Sequence, residues 1–158
     1  MLLLCSRQSR SWISSPLTTP SIRFVRGDHF LWAPSSLEII YDPTDKHIKE
    51  HTLHELAHAL LDHCDYDRDI QLITMERDAW QYAKATLSLK YNVTITDTTI
   101  QNSLDTYRDW LHARSTCPNC HATGVQSKKH HYRCVACRRT WRVNDARICS
   151  LRRYSLNN

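Results

Sequence analysis

Apolar positions in the middle of the chain recur with the spacing of amphipathic helices. Residues 46–64 contain no proline or glycine, and their apolar side chains cover one broad face: Ile48, Leu53, Leu56, Ala57, Leu60 and Leu61. Residues 70–90 carry a second stripe, made of Leu72, Glu76, Ala79, Trp80, Ala83 and Leu87. A third stripe, within a segment that begins at Asp97 or Thr98 and reaches Ala113, consists of Ile100, Leu104, Tyr107 and Leu111. The pattern therefore predicts three helices.

Three short segments before the first helix are strand candidates, and the first of them alternates between apolar and polar residues as a half-buried strand does. They are residues 21–25, 29–32 and 37–41. We expect them to form a small antiparallel meander packed on the helices, so the predicted fold class is α+β. Residues 91–96 are also β-prone, and they either return to the sheet or connect the second and third helices.

The first predicted helix contains the sequence HELAH at residues 54–58. Two histidines four residues apart project from the same side of a helix, so their imidazoles can hold one metal ion together. Glu55 lies beside them and can act as general base toward a water molecule, which is the chemistry of the HExxH pattern. We interpret the two histidines, His54 and His58, as ligands of a zinc ion.

An amphipathic helix that only happens to carry histidines is the alternative, because HExxH occurs in many unrelated proteins. Two more histidines, His47 and His51, continue the stripe along the same side. Neutral imidazoles among Leu and Ala are poor core formers unless something binds them, which favours metal binding. His63 follows His58 by five residues and on a continuing helix would point away from that side.

Glu76 occupies an apolar position in the stripe of the second predicted helix. A buried, unpaired carboxylate is costly, and a nearby zinc ion would remove the cost. Glu76, 18 residues beyond His58, is therefore our candidate third ligand. Three protein ligands leave a fourth position for water, as in catalytic zinc sites. The alternative is a Glu76 at the edge of the apolar face that reaches water; weaker substitutes as ligands are Asp65, Asp69 and Asp78.

Four cysteines near the carboxyl terminus form two C-x2-C pairs: Cys117, Cys120, Cys134 and Cys137. Each pair makes a knuckle that directs two thiolates at a common centre, and two knuckles close a tetrahedral site. Residues 121–133 between them are expected to form a hairpin. The spacing predicts a zinc ribbon whose structural metal supplies much of its folding free energy. A redox dithiol would need only one such pair, and four cysteines suffice without the three nearby histidines, His121, His130 and His131.

Charge divides the chain into two parts. Residues 1–111 carry 11 basic and 15 acidic side chains, whereas residues 112–158 carry 10 basic and one acidic. The first part resembles an enzyme body, and the second suits a polyanionic partner. The candidate nucleic-acid contacts are Lys128, Lys129, Arg133, Arg138, Arg139 and Arg142. Tyr132 and Trp141 among them either stack on bases or form the core of the ribbon, and a protein partner for the ribbon is a further alternative.

The sequence TLHELAHALLDH followed by MERDAWQYA resembles the ImmA/IrrE-type minimal gluzincin metallopeptidases. The resemblance covers roughly residues 37–90. It implies His54, His58 and Glu76 as ligands of a catalytic zinc and Glu55 as general base. It also implies hydrolysis of a protein substrate, which in this family is commonly a repressor or stress regulator.

A second resemblance is to SprT-like proteases, which join an HELAH helix to a carboxyl-terminal ribbon and act on proteins crosslinked to DNA. The segment HYRCVACRRTW is similar to the end of their ribbon. Those proteases place a third histidine in a Gly-Pro-flanked context after the helix, and this chain has no such context. A hypothesis of another class is a non-enzymatic module that binds nucleic acid or protein. The presence of Glu55 is evidence against it, because a purely structural metal site does not need a general base.

Length and composition complete the prediction. In 158 residues with 41% hydrophobic content, we expect a poorly ordered arm at residues 1–20, a zincin-like metallopeptidase domain at residues 21–113 and a basic zinc-ribbon domain at residues 114–158. Seven cysteines, four of them in C-x2-C pairs, favour metal thiolates in a reducing compartment over disulfides. Since neither a signal peptide nor a membrane-spanning run is recognisable, we expect a cytoplasmic protein; its oligomeric state stays open.

Overall fold

The computed structural model describes residues 21–147 and 149–156. The chain divides into two compact units. One comprises the described residues up to Asp65 together with Asp78–Ile95, and the other comprises Tyr66–Arg77 and the described residues from Thr96 onward. The predicted arm, residues 1–20, lies outside the described residues. No helix in the described part of the chain has the length and apolar content needed to cross a bilayer.

The first unit contains a three-stranded sheet of β1 (Arg23–Arg26), β2 (Leu31–Ala33) and β3 (Glu38–Tyr41). Its strand order is β1-β3-β2, with β1 parallel and β2 antiparallel to β3. The prediction of an antiparallel meander is therefore wrong, because the sheet is mixed. The strand β3 takes the centre because it carries the fully buried Ile39, whereas β1 is exposed along its length.

The helix α1 (Ile48–Leu60) carries the HELAH sequence and packs against β2 and β3. Its buried residues are Leu53, His54, Ala57 and His58. It is shorter than the segment 46–64, which lacks proline and glycine, because Asp62 adopts a left-handed conformation with a φ of 55° and turns the chain out of the helix. Asp tolerates this conformation better than most residues.

The helix α2 (Asp69–Tyr82) continues through a π-helical turn (Ala83–Leu87) into a short helix, α3 (Ser88–Tyr91). Small shifts of register of this kind often occur near functional sites. The predicted stripe is confirmed by burial of all its members: Leu72, Glu76, Ala79, Trp80, Ala83 and Leu87. Asn92 ends α3 in the left-handed conformation, and the residues after it connect to the next helix rather than forming a strand.

The second unit contains α4 (Asp97–Ser115), whose first turn is capped by Thr96. The Thr96 hydroxyl accepts a hydrogen bond from the Thr99 N–H at 3.1 Å, a stabilising N-cap. Four antiparallel strands follow: β4 (Gly124–Lys128), β5 (His131–Cys134), β6 (Thr140–Val143) and β7 (Arg153–Leu156). The predicted hairpin is confirmed by the pairing of β4 with β5. The strand β7 was not predicted from the sequence; it has only four residues, and all of them are exposed.

A buried ion pair organises the second unit. Asp69 and Arg114 are both fully buried, and Arg114 Nε donates to Asp69 Oδ2 at 2.5 Å. The same carboxylate accepts hydrogen bonds from the Tyr132 hydroxyl and from Gln126 Nε2. Arg114 Nη1 donates to the carbonyl oxygens of Asn144 and Asp145. Its Nη2 donates to Asp69 Oδ1 at 3.3 Å and lies 2.9 Å from His130 Nδ1. This network ties the start of α2 and the end of α4 to the four-stranded sheet, and it compensates the desolvation of both charges.

Candidate metal centres

The structure brings together the three predicted ligands on α1 and α2. One nitrogen or oxygen atom from each of His54, His58 and Glu76 lies within 4.8 Å of the others, and all three side chains are buried. His54 Nε2 and His58 Nε2 are 3.1 Å apart. Two nitrogens held by one tetrahedral zinc ion at about 2.0–2.1 Å would be separated by about 3.3–3.4 Å. The donor set therefore fits a metal ion with one position left for another ligand.

Trp80 packs against His54, one of the two histidines of this group. Its indole stacks on the His54 imidazole with ring centroids 4.2 Å apart and an interplanar angle of 18°. Glu76 lies one turn before Trp80 on α2, so its side chain points from the same side of the helix. Only 5% of Glu76 is exposed, which excludes the alternative of a carboxylate reaching water. The buried position predicted for Glu76 is confirmed.

Glu55 is held by the edge of the three-stranded sheet. The backbone N–H of Trp32, on the edge strand β2, donates to Glu55 Oε2 at 2.7 Å. Glu55 is half-buried beside the two histidines on α1. This hydrogen bond holds one oxygen of the carboxylate in place. The group predicted as general base therefore has a defined position next to the candidate metal ligands.

His63 contacts His58, contrary to the prediction that it points away. Because α1 ends before Asp62, the chain turns back and places His63 Nδ1 at 2.9 Å from His58 Nδ1. One of these nitrogens must carry the hydrogen that the other accepts. If His58 offers the lone pair of Nε2 to a metal, its proton lies on Nδ1 and is donated to His63. Trp32 Nε1 in turn donates to the His63 carbonyl oxygen at 3.0 Å.

The signal that could have revealed His63 is the Asp62 immediately before it, because Asp after the last apolar residue of a helix can adopt the left-handed conformation that ends the helix. The assumption of a continuing helix hid that contact. His63 belongs to the supporting contacts of the site, since the metal-compatible group found among the described residues contains Glu76 and not His63.

The four cysteines form the second candidate centre. Their Sγ atoms all lie within 4.8 Å of one another, with Cys117 3.7 Å from Cys137 and Cys120 3.5 Å from Cys134. Four thiolates at about 2.3 Å from a tetrahedral ion would be about 3.8 Å apart. The arrangement therefore fits a tetrahedral metal site. His121, His130 and His131 lie outside both groups of potential ligands among the described residues.

The two knuckles have the same backbone geometry. In each, the N–H of the first cysteine donates to the carbonyl five residues later: Cys117 to Ala122 at 3.0 Å and Cys134 to Arg139 at 2.8 Å. The residue after the second cysteine is left-handed in both, His121 and Arg138, each with a φ of 61°. Such repeated geometry directs all four thiols to one centre.

Backbone donors favour the ionised cysteines that a metal needs. The N–H of Cys137 donates to Cys134 Sγ at 3.4 Å and is the largest cause that lowers the pKa of Cys134 to about 6. For Cys120, the backbone N–H of Ala122 favours the thiolate, but the neighbouring thiols of Cys134 and Cys137 raise its pKa to about 11. Four clustered thiols resist joint ionisation, and a bound cation would relieve that repulsion.

The two aromatic residues among the basic side chains form the core of the ribbon. Tyr132 and Trp141 are buried, and their rings stack with centroids 5.6 Å apart. A Cβ on Gly124 would lie 2.4 Å from Trp141 Cη2, so only glycine lets the strand approach this ring. The alternative in which these aromatics stack on nucleic-acid bases is excluded by their burial.

The predicted nucleic-acid contacts occupy different places around the ribbon. Lys129 is half-buried, with Nζ 5.4 Å from the centre of the Tyr66 ring. The other five are exposed: Lys128, Arg133, Arg138, Arg139 and Arg142. Asp69, considered as a substitute metal ligand, pairs with Arg114 instead.

No family model, curated protein or solved structure matches this chain. The candidate sites therefore rest on the residues and the geometry given above.

Proposed function

We propose that the protein is a zinc-dependent metallopeptidase that hydrolyses peptide bonds of a protein substrate. The observation that carries the proposal is the convergence of two histidines from α1 and a buried glutamate from α2, with a second glutamate oriented beside them. A purely structural site would use a fourth protein ligand and would not need Glu55. The four-cysteine centre would hold a structural zinc, and the ribbon would dock the enzyme on its target.

In this proposal, His54, His58 and Glu76 hold the catalytic ion. Zinc bound there would supply Lewis-acid activation of a water molecule and of the peptide carbonyl. The Glu55 carboxylate takes a proton from the attacking water and later gives it to the leaving amine. The Trp32 N–H keeps one Glu55 oxygen in place. By accepting a hydrogen bond from His58 Nδ1–H, His63 keeps the His58 proton on Nδ1, so the lone pair of Nε2 stays available to a metal ion.

The ligand set favours the ImmA/IrrE-like interpretation over the SprT-like one. A third ligand from a second helix is an acidic residue, Glu76, as the first resemblance implies. The histidine that follows α1, His63, instead contacts the far nitrogen of His58. A DNA-associated substrate or a transcriptional regulator is compatible with the basic ribbon in either case.

Glu55→Gln tests the proposal. The variant keeps the shape of the side chain and its hydrogen bond from Trp32 but cannot take a proton. We expect full metal content, an unchanged circular dichroism spectrum and at least about a hundredfold loss of hydrolysis of a quenched-fluorescent casein and a mixed peptide pool. Glu50→Gln, on the same helix and contacting His47, is the matched control and should keep activity. Hydrolysis that persists unchanged in Glu55→Gln would refute the peptidase proposal and favour a binding module.

A further inference from the structure

The four-stranded sheet of the ribbon has one buried and one exposed face. Side chains of β5 and β6 that point to the core are Tyr132, Cys134, Trp141 and Val143. The residues that alternate with them point the other way, and Arg133 and Arg142 among these are exposed. Cross-strand partners lie on the same face of a sheet, so the register identifies the remaining residues of the exposed face.

Two rows of side chains cross the exposed face. The first row runs through the pairs Lys128–His131, His131–Arg142 and Arg142–Tyr154. The second row runs through Val125–Arg133, Arg133–Thr140 and Thr140–Leu156. With strands about 4.8 Å apart, each row is about 14 Å long. We define these two rows as the ribbon face.

The chemistry of the ribbon face combines cations with exposed apolar and aromatic groups. The guanidinium carbon of Arg142 lies 4.8 Å from the centre of the Tyr154 ring, and Tyr154 is 41% exposed. Val125 and Leu156 are exposed at the two ends of the second row. Residues 112–158 carry 10 basic side chains and one acidic side chain, so the surroundings are strongly positive.

We propose that the ribbon face binds single-stranded nucleic acid, with Arg133 and Arg142 on phosphates and Tyr154 stacked on a base. Duplex DNA would not offer the same contacts. A sheet with four strands is wider than the helix or two-stranded ribbon that the major groove admits, and a duplex hides the base faces that Tyr154 and the apolar ends would contact. An acidic peptide would satisfy the arginines, but acidic side chains have no aromatic ring to stack on Tyr154.

The proposal does not depend on peptidase activity, because binding is measured without hydrolysis. The residues of the ribbon face also differ from the contacts that the charge pattern of the sequence predicted. Arg138 and Arg139 are exposed at the second knuckle and lie outside both rows, whereas Tyr154, which the sequence analysis did not select, lies within the first row. The arginines therefore provide two variants that lose the same charge at different places.

The test uses the full chain and a fluorescein-labelled oligothymidylate of about 20 nucleotides, with binding followed by anisotropy at several salt concentrations. We expect Arg133→Gln/Arg142→Gln to lower the affinity at least tenfold. The slope of log affinity against log salt should fall by about 1.4, since each phosphate contact on a single strand contributes about 0.7. Arg138→Gln/Arg139→Gln, with the same net charge, should change the affinity less than threefold. Retained metal content of both variants shows that the ribbon is folded.

Tyr154→Ala isolates the stacking contribution. We expect a roughly tenfold lower affinity with an unchanged salt slope, and recovery in Tyr154→Phe, which keeps the ring. Equal losses in the two arginine pairs would overturn the proposal in favour of diffuse charge attraction. Binding of an equally long duplex as tightly as the single strand would also overturn it. Equally tight binding of polyglutamate would overturn it in favour of an acidic protein partner. Absence of any binding at low salt would overturn it as well.

Discussion

The imidazole of His58 has different partners at its two nitrogens. Nε2 lies near His54 within the candidate metal group, and Nδ1 lies 2.9 Å from His63. The tautomer that presents a lone pair at Nε2 is the one whose Nδ1 proton is accepted by His63. His63 is therefore expected to raise metal affinity without touching the metal, as supporting residues of metal sites do.

Replacing His63 by Phe tests this role. Phenylalanine fills similar space but cannot accept the His58 proton. We expect the affinity for the zinc ion at His54 and His58 to fall by about 10- to 100-fold, measured by competition with a chelator of known affinity. His29→Phe, at an exposed position on the chain before β2, is the control. An unchanged affinity in His63→Phe would mean that the contact with His58 does not support metal binding.

At the scale of elements, the start of α2 depends on one carboxylate. Asp69 is the first residue of α2, and its side chain accepts hydrogen bonds from α4 and from two strands of the ribbon. Arg114 donates hydrogen bonds to Asp69 and to the carbonyl oxygens of Asn144 and Asp145, and its Nη2 also lies 2.9 Å from His130 Nδ1. Removing one partner of such a buried pair leaves the other charge uncompensated.

Asp69→Asn keeps the shape of the side chain but removes its charge. We expect the free energy of unfolding of the second unit to fall by about 3–5 kcal/mol, because the guanidinium of Arg114 stays buried without its counter-ion. Urea denaturation in the presence of zinc measures the change. Asp67→Asn, at an exposed position two residues earlier, should change it by less than about 0.5 kcal/mol. A loss for Asp69→Asn as small as that of the control would contradict this account of the network.

At the scale of the whole molecule, the chain holds two independent candidate centres with different donor atoms. One has two imidazoles and a carboxylate, and the other has four thiols. The first leaves a position open, as catalytic sites do, whereas the second is closed by protein ligands, as structural sites are. The ribbon has a small core of Cys117, Tyr132, Cys134, Trp141 and Val143, so its stability should depend on its metal.

Metal content distinguishes the two centres. We expect about two zinc ions per purified chain, and one in the His54→Ala/His58→Ala variant, because the thiol site does not use these residues. Elemental analysis of both proteins after removal of loosely bound metal measures this. One ion in both proteins would show that the histidine site does not retain zinc, and the peptidase proposal would lose its basis.

Much of both sites was predictable because their geometry is local. His54 and His58 are one helical turn apart, and each C-x2-C pair is closed by a knuckle of a few residues. The backbone conformation of such short segments decides where their side chains point. Glu76 was predictable for a related reason, since a carboxylate in an apolar stripe needs a partner when the stripe is buried.

Only the tertiary structure decided the features that depend on distant segments. The central place of β3, the burial of Arg114 and the position of Tyr154 on the ribbon face each depend on pairing between segments whose separation no local pattern records. The contact of His63 with His58 could be predicted only once the end of α1 was known. By itself the sequence determined the helices, the ligand types and their spacing, because these follow from short-range periodicity. Strand order and supporting contacts follow from long-range packing, in which many arrangements satisfy the same local pattern.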